Sequence, residues 1–377
     1  MRNRREFLKT IAYASAGSCL PAGSFLLRSG ATSKPPALPQ NDSALPKHKP
    51  VLVAGKKVKT VDMHCHVNLP EVANFLKGTP LEKSVPAITV IDARRLQIMD
   101  KEGIDVQAVC VNPFWYSADR DLATRLIDFH NQKLVEMLQS APSGRFAAFG
   151  TVALQFPELA AKQMEDAMKM GLKGAAIGGH VEGEELSLPK YDVFWAKAEE
   201  LQAPIFMHPQ ESAQATGIAK RVKGYGGLDA IIGNPLETSI FIGHMIFEGV
   251  LERFPGLKIC CAHGGGYLAA YPDRMDHSCF DSPARCEGSP IKKQPTEYLK
   301  QLYVDSIVFT PEGLRHLAAV MGPTHVMLGT DYPFKWVEDP KALGPVDHLF
   351  ATPGFTDAQK VAILGGTACK WLGIPTS

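Results

Sequence analysis

From residue 58 onward the chain alternates short apolar runs with longer amphipathic stretches. The runs at 61–66, 106–111, 146–152, 174–177, 204–208, 258–263, 302–305 and 326–331 read as strands. Between them, residues 93–102, 122–138, 157–170, 193–201, 237–254 and 311–321 read as helices, and 358–372 supplies a last one. Pro157 and Pro311 fall where first-turn prolines belong, and Gly171 and Gly322 where helices end. Strands alternating with helices need crossover connections, hence parallel pairing. Eight such units are the number that closes a TIM-like (β/α)8 barrel, so the predicted fold class is α/β. The competing architecture, a doubly wound open sheet, calls for a glycine-rich phosphate turn after the first strand. This chain has His64-Cys65-His66 there instead. Gly264-Gly265-Gly266 reads as a tight strand-to-helix turn.

Side chains two apart on a strand share a face, so His64 and His66 in Asp62-Met63-His64-Cys65-His66 aim at one point. His208, His263 and Asp331 each close a later apolar run. In a barrel these strand ends meet at one mouth. Imidazoles with a carboxylate suit Zn²⁺ or a similar first-row ion, and leave a position for water or substrate. An extra imidazole beside such an ion is a natural proton shuttle. Each residue also has an ordinary reading: a satisfied histidine, a strand terminator, or, for Asp331, a turn cap.

Composition narrows the class. The 377 residues are 45% hydrophobic and 21% charged, ordinary for a globular enzyme. A net charge of +1 points to neither nucleic acid nor an anionic membrane. The N-terminus stands apart: Arg4-Arg5-Glu6-Phe7-Leu8-Lys9 precedes a mildly apolar, small-residue run. It looks like a twin-arginine export signal, which places the protein in the periplasm or otherwise outside the cytoplasm. Its Ser, Gly, Pro and Cys make a poor permanent span, so no stable membrane insertion is expected after processing. The predicted organisation is signal 1–28, a Pro/Ser/Lys-rich linker 29–57 and a barrel domain 58–377. Of eight cysteines, Cys65, Cys110, Cys260 and Cys261 read as buried thiols. Cys279 and Cys286 flank a polar loop, and the sequence leaves their pairing open.

The residues Asp62-x-His64-x-His66, Met207-His208-Pro209, Phe254-Pro255-Gly256-Leu257-Lys258 leading to Ala262-His263-Gly264-Gly265-Gly266, and Gly329-Thr330-Asp331-Tyr332-Pro333-Phe334 together resemble the amidohydrolase superfamily. More narrowly, they resemble the branch of aminocarboxymuconate-semialdehyde and resorcylate-type decarboxylases, over about residues 58–372. The resemblance implies a distorted (β/α)8 barrel with one divalent metal, usually Zn²⁺ or Mn²⁺, Zn²⁺ being favoured. It implies His64, His66, His208 and Asp331 as ligands and His263 as the catalytic histidine, with Asp331 also a candidate base. His180 and Trp115 are candidate substrate contacts at the mouth, and Asp305 a candidate orienting group. Phe114 and Tyr116, beside Trp115, are further candidates for stacking on a substrate ring. Glu237 sits near a helix N-terminus. Arg274 matches an arginine that in the resembled decarboxylase contacts a carboxylate across a dimer interface, which implies a homodimer.

Two departures bear on substrate. The segment 67–93, where that decarboxylase carries an arginine, has only Lys77 and Lys83. Gln210, a further candidate substrate contact, stands where it has tryptophan. Both count against its dicarboxylate substrate. The expected activity is non-oxidative decarboxylation of a small aromatic or unsaturated carboxylic acid. Metal-dependent hydrolysis of an amide, ester or lactone is the alternative, because the same residues serve both.

Overall fold

The computed structural model describes residues 48–84, 89–112, 114–210, 217–218, 220–334 and 343–376. Residues 1–47, which include the segment read from the sequence as an export signal and most of the stretch read as a linker, lie outside the described residues.

Eight strand positions surround one core: β1 (Val61–His66), β2 (Val106–Cys110), β3 (Phe146–Ala148 and Gly150–Thr151), β4 (Ala175–Ile177), β5 (Pro204–Met207), β6 (Lys258–Cys261), β7 (Tyr303–Asp305) and β8 (Val326–Met327). All neighbouring pairs are parallel, as the crossover pattern requires. β3 is broken at Phe149; its first half pairs with β2 and its second with β4. The ring closes between β1 and the chain following β8, through Met63 N–H to Leu328 O at 2.8 Å and Asp331 N–H to His64 O at 2.7 Å. Phe149 and Phe206 stack at 5.6 Å and, with Met63, Ile205 and Val304, belong to a continuous buried core.

Five of the outer helices follow the predicted spans within two residues at either end. The outer helices include α1 (Ala93–Glu102), α2 (Arg120–Ser140), α3 (Pro157–Lys169), α4 (Asp192–Glu200), α5 (Asn234–Phe247), α6 (Asp273–Asp281), α7 (Pro311–Met321) and α8 (Thr367–Leu372). Asp92 and Asp119 cap α1 and α2 by accepting from Arg95 N–H and Leu122 N–H.

Four spans differ from the pattern-based reading. The last strand stops at Met327, because Leu328 N–H turns to Ile363 O instead of continuing the ladder. The helix expected over 237–254 breaks after Phe247, where Gly249 adopts φ +70 and a Cβ would lie 2.3 Å from Pro290. The helix expected over 358–372 is interrupted at Gly365, whose missing Cβ would lie 2.2 Å from Lys59 O at the base of β1. Residues 48–57, assigned on composition to a linker, belong to the folded body. Leu52–Val53 pairs with Lys56–Lys57, Val51 and Val53 are buried, and Lys49 Nζ bonds Asp347 at 2.9 Å.

Cys279 and Cys286 form a disulfide across the end of α6, whereas Cys65, Cys110, Cys260, Cys261 and Cys369 are free and buried. No helix among the described residues is long and apolar enough to cross a membrane.

Candidate metal and active site

The strand ends do converge. His64, His66, His208 and Asp331 each offer one ligand atom, and these atoms lie within 4.8 Å of one another. The imidazole centroids are 5.2 Å apart for His64–His66, 5.0 Å for His64–His208 and 4.8 Å for His66–His208. His263 stands 5.0 Å from His64, and its Nε2 is 3.5 Å from Asp331 Oδ2.

Backbone geometry aims two of these groups. His263 and Asp331 adopt φ +55 and +56, a left-handed conformation that residues with a Cβ seldom take. The glycines after His263 let the chain turn at once: a Cβ on Gly266 would lie 2.4 Å from Pro235 O. Asp331 is held in that conformation by its own N–H bond to His64 O, with Thr330 tied to Asp62 on the preceding residue.

Hydrogen bonds behind the imidazoles fix which nitrogen faces the centre. His64 Nδ1–H donates to Asp305 Oδ2 at 2.7 Å, and His208 Nδ1–H donates to Pro209 O at 2.6 Å. Nε2 of both rings is therefore turned inward. His64 Nε2 is buried and has no hydrogen-bond partner among the described residues, 3.2 Å from Asp331 Oδ1. Asp305 also accepts from His263 N–H at 2.7 Å and Gly264 N–H at 2.9 Å, so one buried carboxylate joins the ends of β1, β6 and β7.

Electrostatics point the same way. Burial raises the Asp331 carboxyl, but the His64 charge and the close imidazoles of His263, His64 and His66 outweigh it and hold it well below the usual range. Burial opposes the His64 imidazolium, yet Asp331 and Asp305 raise it to about 10. Burial, reinforced by neighbouring imidazoles, keeps His208 neutral, and burial does the same for His66. Two buried carboxylates thus call for positive charge at the spot where neutral imidazole nitrogens converge. That donor set fits a divalent cation.

Asp62 is not at the centre. It is fully buried and accepts from Gln107 Nε2 at 2.8 Å, Thr330 Oγ1 at 2.6 Å and Thr330 N–H at 3.0 Å. Burial pushes its carboxyl up to about 6, and the bonds from Thr330 and Gln107 hold it back from going further. Arg95 donates to Gln107 Oε1 at 2.7 Å and to His66 O at 2.8 Å, also fully buried. Neither Gln107 nor Arg95 was singled out by the motifs. The one available signal was Gln107, a lone polar residue inside an apolar strand.

The candidate substrate contacts divide. Trp115, Tyr116, His180 and Gln210 line one cavity of about 60 Å³, and none of the cluster residues is among those lining it. Phe114 and Tyr116 stack on each other at 5.7 Å inside the core, so Phe114 presents no face to a substrate. Glu237 is buried and accepts from Gly179 N–H at 3.2 Å and Gln210 N–H at 3.1 Å, bracing the ends of β4 and β5. Arg274 lies exposed on α6, and no hydrogen bond or ion pair joins its side chain to the cluster.

A model of the amidohydrolase family matches residues 61–374, nearly all of the barrel. The chain belongs to the amidohydrolase family. A 2-amino-3-carboxymuconate-6-semialdehyde decarboxylase of Dictyostelium discoideum is 32% identical over 284 residues, covering 74% of this chain and 76% of that protein. The amidohydrolase chain thus falls in the decarboxylase branch. A gamma-resorcylate decarboxylase of Rhodococcus jostii is 26% identical, covering 72% and 87%. Among solved structures, 5-carboxyvanillate decarboxylase of Novosphingobium aromaticivorans, complexed with manganese and 4-hydroxy-3-methoxy-5-nitrobenzoic acid, superposes with a TM-score of 0.71. It is 25% identical and covers 84% of this chain and 96% of that one. The Sphingomonas paucimobilis counterpart gives a TM-score of 0.73 at 24% identity, covering 84% and 99%.

Proposed function

We propose that the protein is a metal-dependent, non-oxidative decarboxylase of a small aromatic or unsaturated carboxylic acid. The observation that carries this is the inward-facing set His64, His66, His208 and Asp331, with His263 against Asp331, in a chain whose relatives are carboxy-lyases. These four residues would hold one divalent ion, Zn²⁺ or Mn²⁺; manganese is bound in a relative, and zinc suits the histidine-rich set equally. When bound, such an ion supplies Lewis-acid polarisation of the substrate's oxygens.

The remaining work falls to the chain. Asp305 fixes the His64 ring and the His263 backbone together, so ligand and acid keep one spacing. His263, 15% exposed, is the group placed to deliver a proton to the substrate. The carbon–carbon bond breaks, its electron pair stays on the ring or alkene carbon, and that carbon takes the proton as carbon dioxide leaves. Asp331 keeps the His263 ring oriented through the 3.5 Å contact.

The test is carbon dioxide release by metal-loaded enzyme from hydroxybenzoates and muconate-like acids, run in ¹⁸O-labelled water. Labelled oxygen on an acyl carbon, without carbon dioxide, would favour hydrolysis and defeat the proposal.

We also infer export by the twin-arginine route, supported by Arg4-Arg5 and by the Cys279–Cys286 disulfide, which suits an oxidising compartment. Secretion lost on Arg4→Lys/Arg5→Lys substitution tests it. A homodimer is proposed on α6, where Arg274 is exposed near Tyr271 and Phe280, 69% and 82% exposed. Sedimentation of the wild type against Phe280→Asp decides between dimer and monomer.

A further inference from the structure

The three imidazoles of the four-residue cluster are backed by three different groups. The Asp305 carboxylate stands behind His64 at 2.7 Å, and the Pro209 carbonyl behind His208 at 2.6 Å. Behind His66 is a thiol: Cys110 Sγ lies 3.5 Å from His66 Nδ1. The other nitrogen of that ring, Nε2, is 2.9 Å from Asp331 Oδ1. The two nitrogens of an imidazole point in different directions, and the bond made by one decides what the other can hold. Nε2 therefore faces the cluster while Nδ1 faces the sulfur.

The strand register sets up this pair. Asp62 on β1 stands beside Gln107 on β2. An unbroken parallel ladder from there would set Cys65 beside Cys110 and His66 beside Val111. The register shifts between Asp62 and Cys65, so that Cys65 pairs with Val109 and His66 with Cys110. An extra residue in one strand re-aims the side chains beyond it, and here it brings the thiol to the imidazole. Both backbones are held at that level: Cys110 O accepts from Val67 N–H at 3.0 Å, and His66 O from Arg95 at 2.8 Å. Cys110 is 1% exposed and His66 4%. Without the sulfur, Nδ1–H would be a buried donor that has lost its partner.

We propose that Cys110 is the positioning residue of His66: its sulfur accepts Nδ1–H, fixes the ring plane and commits Nε2 to the metal. Sulfur is a weak acceptor, so His66 is the least firmly directed of the three imidazoles. The proposal rests on His64, His66, His208 and Asp331 holding one ion, and is independent of the reaction that the ion serves.

The experiment compares full-length wild type, Cys110→Ala and Cys110→Ser. Both replacements are smaller than cysteine and differ from each other by one oxygen, so bulk cannot separate them. Zn²⁺ affinity is read by competition against a chelator. Cys110→Ala should bind about 10-fold more weakly than wild type, the lower end of the usual cost of removing a group behind a metal-bound histidine. Cys110→Ser, which restores an acceptor, should recover most of that loss. Alanine equal to wild type, or serine no tighter than alanine, overturns the proposal. Should Cys110→Ala fail to fold, the wild type carries the test alone through ¹⁵N-histidine magnetic resonance of the Zn²⁺-loaded protein. The His66 proton should sit on Nδ1 and show an Overhauser contact to the Cys110 β-protons. A proton on Nε2, with Nδ1 ligated, overturns the proposal. Wild type that takes up no ion would defeat the four-residue metal reading itself, whereas a failure confined to the Cys110 variants leaves that reading standing.

Discussion

Asp305 Oδ2 receives His64 Nδ1–H at 2.7 Å and His263 N–H at the same distance, so the proposed ligand and the proposed acid share one buried oxygen. Asp305→Asn keeps the shape but presents at most one acceptor oxygen to four donors, His64, His263, Gly264 and Ile307. Metal affinity should fall roughly 10- to 100-fold, the usual cost of losing a group behind a metal-bound histidine. Competition against a chelator of known affinity measures it. Affinity equal to wild type would show that His64 needs no such support.

His263 and Asp331 are separable by metal content. His263→Ala should keep the ion and lose about 10²–10⁴-fold in kcat, the range for a removed general acid. Asp331→Ala should lower bound metal, since it removes the only carboxylate of the four-residue set. Elemental analysis of both variants checks the assignment, and the reverse pattern would exchange the two roles.

The sequence exposed the centre because its signals are local. Alternation of period two put His64 and His66 on one face, and His208, His263 and Asp331 each terminate an apolar run. Barrel topology then converts separate strand ends into neighbours. Long-range contacts were hidden. Gly365 interrupts the last helix because of Lys59 O, about 300 residues away in the chain. The left-handed turns at His263 and Asp331 follow from tertiary hydrogen bonds, which residue type does not report. Residues 48–57 look like a linker by composition, yet Val51 and Val53 pack in the core once the hairpin forms. Phe114 carries the aromatic signature of a binding loop, but only burial shows that it is packing.

Protonation supplies a metal-independent test of the same cluster. In chelator-treated protein His64 is raised to about 10, against roughly 6.5 for an unfolded imidazole. A raised histidine gives stability that is complete below about 6.5 and is lost as pH climbs toward 10. The melting temperature of stripped protein should therefore decline between pH 7 and 9.5. Metal binding requires the neutral ring, so uptake near pH 7.5 should release about one proton. The buffer dependence of the calorimetric binding enthalpy reads that proton directly. No release at pH 7.5, with a flat melting curve for stripped protein, would mean that His64 is already neutral.

Arg95 reaches the site through two routes. Its guanidinium lies 4.6 Å from the Tyr332 ring, next to Asp331 in the chain, and it donates to His66 O at 2.8 Å. Through Gln107 it also supports Asp62, which in turn holds Thr330. Lysine offers a compact charge on a flexible stem and cannot reproduce a planar fork that bonds two acceptors while stacking on a ring. Arg95→Lys should therefore cost about 2 kcal/mol or more by leaving a buried acceptor unmet. Arg95→Met should cost more, because Gln107 Oε1 and His66 O would both lose their donor. Urea denaturation of metal-loaded protein gives the stability, and chelator competition shows whether the loosened Tyr332 segment weakens the ion. If Arg95→Lys stays within about 0.5 kcal/mol of wild type, the range of an ordinary surface change, the guanidinium is not what holds β1 against the Asp331 turn.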